Sequence, residues 1–459
     1  MSTMDERQIE ELLTRVERCL GEERPKDAIP DLQQLLAVLP NHPRVLCDVG
    51  RISIQLGDNP AALHALDLAL SQQPDNLEAL NARGVAYQNL DRLEDAERDF
   101  RLVCEQVGDN PGACLNLGSV LAAKGAFGES EEWFEKALQA SPDNPTASYN
   151  LGLVRLVTGR LTQGWPGFER RSRADNVGLA RGRSDRPRWS GEALPDATLL
   201  IQAEQGLGDN IQFVRYAAMA RGRVARVIVE TPKPLVDLVG GVEGVDAVVG
   251  RGDPLPEHDV FIPVMSLPAV FETEVETIPW SGPYIEVPED RTAYWCKRLS
   301  TMGRGLHVGL VWAGNPSHKR DRQRSIPLST LAPLTEVPGV ALHALQIGPA
   351  LAQLDDVSFG RKIRPLFRKE RPFPEVAAVM SALDLIIGVD TSLVHLAGAM
   401  GRPVWTMVTA VPDWRWMLAR ADTPWYPSMR LYRQPNAGDW QSVADSVAAD
   451  LKDFAAGQE

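Results

Sequence analysis

Three short stretches hold the residue types that chemistry on an activated phosphate ester needs. The first is EQGLGDN, residues 204–210, placed between an apolar run and an amphipathic one. Gly206 and Gly208 permit a tight turn and close backbone approach, and Asp209 stands at the helix start. An aspartate there either caps the helix, worth about 1 kcal/mol, or projects its carboxylate into a cleft as a general base. The second stretch is GVDTSLVHLAGAMGRPV, residues 388–404, with Asp390, Thr391 and Ser392 at a turn and His395 one turn further on. Hydroxyls and helix N-terminal N–H groups converge at such a turn, which suits a phosphate. The third is NPSHKRDRQRSIP, residues 315–327, where Lys319, Arg320, Arg322 and Arg324 crowd one loop. That loop is either a solvated surface or a cation wall. Beside a hydroxyl-rich helix start, it points to a phosphate or nucleotide diphosphate ligand.

The surrounding elements decide whether these stretches can meet. ATLLIQA (197–203), RVIVE (226–230), DAVVG (246–250) and DVFIPV (259–264) read as buried strands. After a proline-rich break near 279–288 the pattern restarts with HVGLVWAG (307–314), ALHALQIG (341–348), DLIIGV (384–389) and PVWTMV (403–408). Strands alternating with helices predict parallel sheets covered on both faces. Two such blocks predict two Rossmann-like domains facing a cleft, with ligands at the carboxyl ends of the strands. All three stretches fall at such ends.

The first third follows a different rule. Gly50, Gly84, Gly118 and Gly152 lie 34 residues apart, and Leu66, Phe100, Phe134 and Phe168 follow each of them by 16. Ala62, Ala96 and Ser130, then Ala69, Val103 and Ala137, recur at the same period. Small residues let paired helices approach, and the large apolar residue fills the space left between units. This stretch, residues 9–170, resembles the tetratricopeptide repeat in about four units and a partial fifth. The resemblance implies an α-solenoid with a concave groove, faced by Asp48, Ala82, Asn116 and Asn150. Asn116 and Asn150 are then candidates for binding an extended acceptor peptide, the alternative being two solvated amides. The fifth unit breaks pattern: Gly164, Trp165, Pro166, Phe168 and Arg171 suit a cap docked onto something else. The basic segment 170–189 that follows reads as a linker or wrapping loop.

Charge and cysteine content narrow the class. Residues 1–160 carry 26 acidic and 15 basic side chains against 35 and 33 in the remainder, so nearly all of the net −13 lies in the repeats. That disfavours nucleic acid as a partner. Five scattered cysteines without a CxxC pair argue against a disulfide framework and fit a reducing cytoplasm. No apolar run approaches the roughly 18 residues of a membrane span. The start, MSTMDERQIEELL, has no secretion-signal core.

QGLGDNIQF, GLVWAGNPSHKRDRQRSIP, GVDTSLVHLAGAMGRPVW, PDWRW, PWYP and GDW together resemble bacterial fusions of tetratricopeptide repeats to a glycosyltransferase. Their catalytic half is similar to heptosyltransferases, and the nearest functional match is the flagellin glycosyltransferase type. The resemblance implies an α + α/β chain. Its parts would be a repeat solenoid (1–176), a linker (177–194), an acceptor-side Rossmann-like domain (195–300) and a nucleotide-sugar donor domain (301–459) in a GT-B arrangement. It implies Asp209 as general base and Arg324 on the donor phosphate, with Asp390, Thr391, Ser392 and His395 as the donor-binding turn. Trp312, Asn315 and Gln346 would sit at the nucleotide, while Asp413, Trp414 and Arg415 either close the site or pack a domain edge. The expected reaction is inverting, metal-independent transfer of a nonulosonic acid from a CMP-linked donor to serine or threonine of flagellin, with no cofactor. Two other readings stay open: a heptosyltransferase-like lipopolysaccharide or glycan transferase, and a repeat adaptor without catalysis.

Overall fold

The computed structural model describes residues 4–457 apart from Asp109, 175–182, Lys319, Arg368 and Glu370. The chain divides into two compact units, Met1–Val154 and Arg155–Glu459.

The first unit is helical. Helices α1 (Glu6–Gly21), α2 (Pro25–Val38), α3 (Pro43–Gln55), α4 (Asn59–Gln72), α5 (Leu77–Asn89), α6 (Leu93–Val107), α7 (Pro111–Ala123) and α8 (Phe127–Ala140) pair in sequence, and α9 (Pro145–Val157) follows. Their starts carry clear signals: proline opens α2, α3, α4 and α7, and the side chains of Asp58, Asn76 and Asn110 cap α4, α5 and α7. The 34-residue period has a steric cause. A Cβ at Gly50, Gly84 or Gly118 would come within 2.5, 2.5 and 2.8 Å of Leu66, Phe100 and Phe134 respectively. Each of those large side chains is fully buried over its glycine. Ser130, standing where two other units have alanine, donates its hydroxyl to the Gly118 carbonyl at 2.7 Å.

The second unit begins with a short helix, α10 (Leu161–Phe168), and then builds two parallel sheets. One has the order β3-β2-β1-β4, from β1 (Leu194–Gln202), β2 (Val224–Thr231), β3 (Ala247–Gly250) and β4 (Val260–Pro263). The other has the order β10-β9-β8-β5-β6-β7, from β5 (Leu306–Val311), β6 (Val340–Ala344), β7 (Ile363–Pro365), β8 (Leu385–Val389), β9 (Val404–Val408) and β10 (Met429–Arg433). The architecture is the expected α + α/β one, a repeat array followed by two Rossmann-like lobes. In each sheet the strand order reverses beside the first strand of the block, β1 or β5, and such a switch point opens a crevice. The linker does not hang free where it is described. Trp189 N–H donates to the Phe261 carbonyl at 2.8 Å and Phe261 N–H to Pro187 at 3.1 Å, covering the open edge of β4. Residues 175–182 lie outside the described residues.

Two neighbouring strands carry a buried histidine pair. His307 Nδ1 lies 2.9 Å from His343 Nε2, and His343 is fully enclosed. Burial, with His307 and Arg364 adding to it, pushes His343 down from 6.5 to about 4. Above pH 6.5 the imidazole is neutral whether folded or not. As pH falls towards 4, the unfolded chain takes up a proton that the folded chain refuses, so stability is lost over that window. At 1.36 kcal/mol per pH unit, the loss reaches about 3 kcal/mol. We expect melting temperature to fall more steeply between pH 7 and 4.5 in the parent than in His343→Leu, and parallel curves would refute the assignment.

Candidate active site

The loops after β1, β5, β6 and β8 enclose a cleft of about 990 Å³. One wall is the turn after β1. Gln205 takes a left-handed backbone, φ 46°, and Gly206 is extended and serves as N-cap of α11 (Leu207–Phe213). Asp209 is therefore the third residue of the helix and not its cap. Its Oδ2 accepts the Gly206 N–H at 2.9 Å, and its Oδ1 accepts the Arg415 guanidinium. Gly208 is required here for a second reason: a Cβ would come within 2.8 Å of the His395 ring, which packs against it from the other lobe.

Arg415 belongs to the loop after β9, and sequence alone left its use open. It is buried, donating Nε to Gln212 at 2.7 Å and Nη1 to Asp413 at 2.8 Å, with Nη2 on Asp209. Burial alone would favour its neutral form, but Asp413 and Asp209 outweigh that and raise it above the ordinary arginine value. Its Cζ lies over the Trp414 ring, 4.6 Å from the ring centre.

The opposite wall comes from the second sheet. Arg324 sits in a short helix, Asp321–Arg324, and turns back so that Nη1 donates to the Asp390 carbonyl at 2.9 Å and Nε to Asp321 at 3.2 Å. Gly314 leaves room for it, since a Cβ would fall 2.6 Å from Nη2. Thr391 is the extended N-cap of helix Ser392–Ala399, and its buried hydroxyl has no hydrogen-bond partner among the described residues. Burial would raise the Asp390 carboxyl, yet His395 and Arg324 beside it hold it below the usual carboxylate range. His395 is itself buried, with Nδ1 3.0 Å from the Tyr426 hydroxyl and its ring stacked on Trp416.

The cleft thus gathers Asp209, Asn315, Arg324, Gln346, Asp390, Thr391, Ser392 and His395. Three readings of individual residues change. Trp312 does not reach the cleft: its ring is fully buried in the core under the second sheet. What it contributes is a backbone N–H, held with that of Ala313 by Gln346 Oε1 at 3.0 and 2.9 Å. Gln346 returns its own amide protons to the Ala313 and Ile347 carbonyls at 3.1 Å, so its side chain fixes the loops. In the basic loop Arg320 lines the cleft, anchored on the Val411 carbonyl at 2.9 Å. Arg322 is exposed and is not among the lining residues, and Lys319 lies outside the described ones.

The sequence reading missed two further residues that line the cleft, the imidazole of His318 and the cation of Arg371. Burial, then Arg324, pushes the His318 imidazole below its ordinary value. Arg371 follows β7, a three-residue edge strand too short to announce itself. In the other unit, Asn116 donates to Asn81 Oδ1 at 2.7 Å and Asn150 to Ser119 Oγ at 3.3 Å. Both amides thus tie neighbouring repeats together.

Comparison with known proteins gives matches at both ends of the chain. Residues 20–85 and 111–144 match tetratricopeptide repeat families, and residues 370–436 match glycosyltransferase family 9 (heptosyltransferase). Protein FlbA of Caulobacter vibrioides is 25% identical over 465 residues, covering 94% of this chain and 71% of FlbA. Among solved structures, a thermophilic tetratricopeptide protein of Thermus thermophilus is 20% identical, covering 37% of this chain and 91% of its own at a TM-score of 0.33. MamA of Desulfovibrio magneticus RS-1 is 19% identical, covering 38% and 97% at a TM-score of 0.31. No described helix is long and apolar enough to cross a membrane.

Proposed function

We propose that this chain, tetratricopeptide repeats joined to a heptosyltransferase-like glycosyltransferase, glycosylates serine or threonine of a protein acceptor held by the repeats, flagellin in the first instance. The observation that carries this reading is the meeting of two walls in one cleft: Asp209 on the first lobe faces a cation- and hydroxyl-rich strand edge on the second. A free-standing glycan transferase has no use for the repeat array, which favours a protein acceptor over a lipopolysaccharide one. The donor is a CMP-linked nonulosonic acid such as pseudaminic acid, bound as substrate, and the setting is the cytoplasm.

The reaction is an inverting displacement that uses no metal. The acceptor hydroxyl attacks the anomeric carbon as the bond from that carbon to the phosphate oxygen breaks. Its proton passes to Asp209, and the bonding electron pair leaves on the nucleotide. A carboxylate has about four acceptor positions, so the Gly206 and Arg415 contacts leave lone pairs for that proton. Base assistance contributes about 10²–10⁴-fold. Arg324, with the Thr391 and Ser392 helix start, stabilises charge gathering on the leaving phosphate, usually the larger share. Asn315 and the loops set by Gln346 border the nucleotide, while His395 shapes the seam between lobes. Asn116 and Asn150, on the groove face of the repeats, remain positions where an extended peptide backbone can exchange hydrogen bonds.

Intact-mass analysis of flagellin from a strain lacking this protein tests the reading. The expected flagellin is lighter by whole sugar units, and an unchanged mass removes flagellin as acceptor. The donor wall has its own test. Arg324→Ala should weaken nucleotide-sugar binding about tenfold or more, the loss of one charge-assisted contact, without changing acceptor capture. Equal donor affinity by calorimetry takes Arg324 out of the site.

A further inference from the structure

The second helix of the fifth repeat leads to Arg171, where other units have alanine or valine, and its contacts show why. Arg171, 3% exposed, grips both oxygens of Glu204, Nε to Oε1 at 3.0 Å and Nη2 to Oε2 at 2.6 Å. The same guanidinium reaches Ser266 Oγ at 2.6 Å and Glu169 at 2.6 Å. Glu204 is the residue from which the Asp209 turn springs, and its carbonyl is tied to Asn210 Nδ2 at 2.8 Å, inside α11. Trp165 and Phe168, on α10, meet the other half of the site. Their rings lie edge-on to Trp414 at 5.6 and 5.7 Å, and Trp414 directly precedes Arg415, the partner of Asp209. Trp165 Nε1–H is fastened to the Thr273 carbonyl at 2.8 Å, so its ring has a fixed orientation.

We infer that the segment Leu161–Ser172 is a positioning element of the transferase, registering both members of the Asp209–Arg415 pair from one rigid piece. Arg171 sets the turn that carries the carboxylate, and the Trp165/Phe168 edge sets the loop that carries the guanidinium. Arg171, Trp165 and Phe168 are not among the residues lining the cleft and act through Asp209 and Arg415. The inference rests on the reading of Asp209 as base. A turn displaced by about 1 Å costs as much as 10²-fold in rate, whereas Arg324 on the donor wall is held by Asp390 and Asp321 of its own lobe.

The test uses the full-length chain. Arg171→Lys keeps the charge but loses the two-pronged grip, and Trp165→Phe keeps the ring but loses its tether. Each is expected to lower kcat about tenfold or more, with donor KM within about twofold. Backbone amide hydrogen exchange should accelerate at residues 205–210 in Arg171→Lys and at 413–416 in Trp165→Phe, and stay at the parental rate in the strands of the second sheet. Combined with Asp209→Asn, either change should cost nothing further, because both act on one group. Losses that multiply, or exchange unchanged at 205–210 in Arg171→Lys or at 413–416 in Trp165→Phe, overturn the inference. Transfer by Asp209→Asn at the parental rate overturns the base assignment instead, and the exchange result then still decides whether the segment holds the turn.

Discussion

Asp209→Asn is expected to reduce glycosyl transfer about 10²-fold or more while leaving donor affinity near the parental value. The carboxylate accepts from two donors, Gly206 N–H and Arg415. An asparagine can turn its oxygen to one of them and must then present N–H to the other. That mismatch costs about 1–3 kcal/mol, so a modest fall in melting temperature accompanies the loss of rate. Asp413→Asn separates the two effects, because Asp413 also holds Arg415, at 2.8 Å, without standing on the α11 turn. It should slow transfer less than tenfold, a loosened contact rather than a lost base. If both variants lose rate equally, Asp209 serves only to hold Arg415.

Arg415→Met is expected to be the most destabilising single change at the seam. It strips the donor from Asp209, Asp413 and Gln212 at once, leaving two carboxylates without their shared cation in a partly buried site. Removing one partner of a buried pair costs about 3–5 kcal/mol. Asp413 keeps a third of its side-chain surface in water and Asp209 a fifth, which places the expected loss at the lower end, about 3 kcal/mol. For a folding unit of the size of Arg155–Glu459 that lowers the melting temperature by roughly 5 °C. Scanning calorimetry at neutral pH reads it directly. A shift under about 2 °C would mean that water resolvates both carboxylates and that Arg415 is no keystone.

Much of the fold was legible because its causes are local in sequence. The repeat declares itself through Gly50, Gly84 and Gly118, each meeting a large residue only 16 positions later. Strands buried on both faces are continuous apolar runs, and β1, β2, β5, β6, β8 and β9 stand where such runs occur. The edge strands β7 and β10 carry weaker signals, since β7 has three residues and β10 interrupts its apolar run with the exposed Arg430. The phosphate-suited turn at Asp390–Ser392 was legible for the same local reason, a strand end leading straight into a helix start.

Side-chain direction and long-range pairing were not legible. Trp312 stands one residue past β5, and its ring enters the core while its neighbours Ala313 and Gly314 line the cleft. A one-residue step reverses the face presented, and composition does not say on which step the strand ends. The capping and base readings of Asp209 were equally open from sequence. Packing made Gly206 the cap and set Arg415 against the carboxylate from 206 residues away. Types and spacings along the chain established a repeat array, two parallel sheets and a polar strand edge, because helices, strands and turns are chosen by neighbours a few residues apart. Which charges meet across that edge was settled by the close approach of two lobes at Gly208 and His395, a contact made in space and recorded nowhere along the chain.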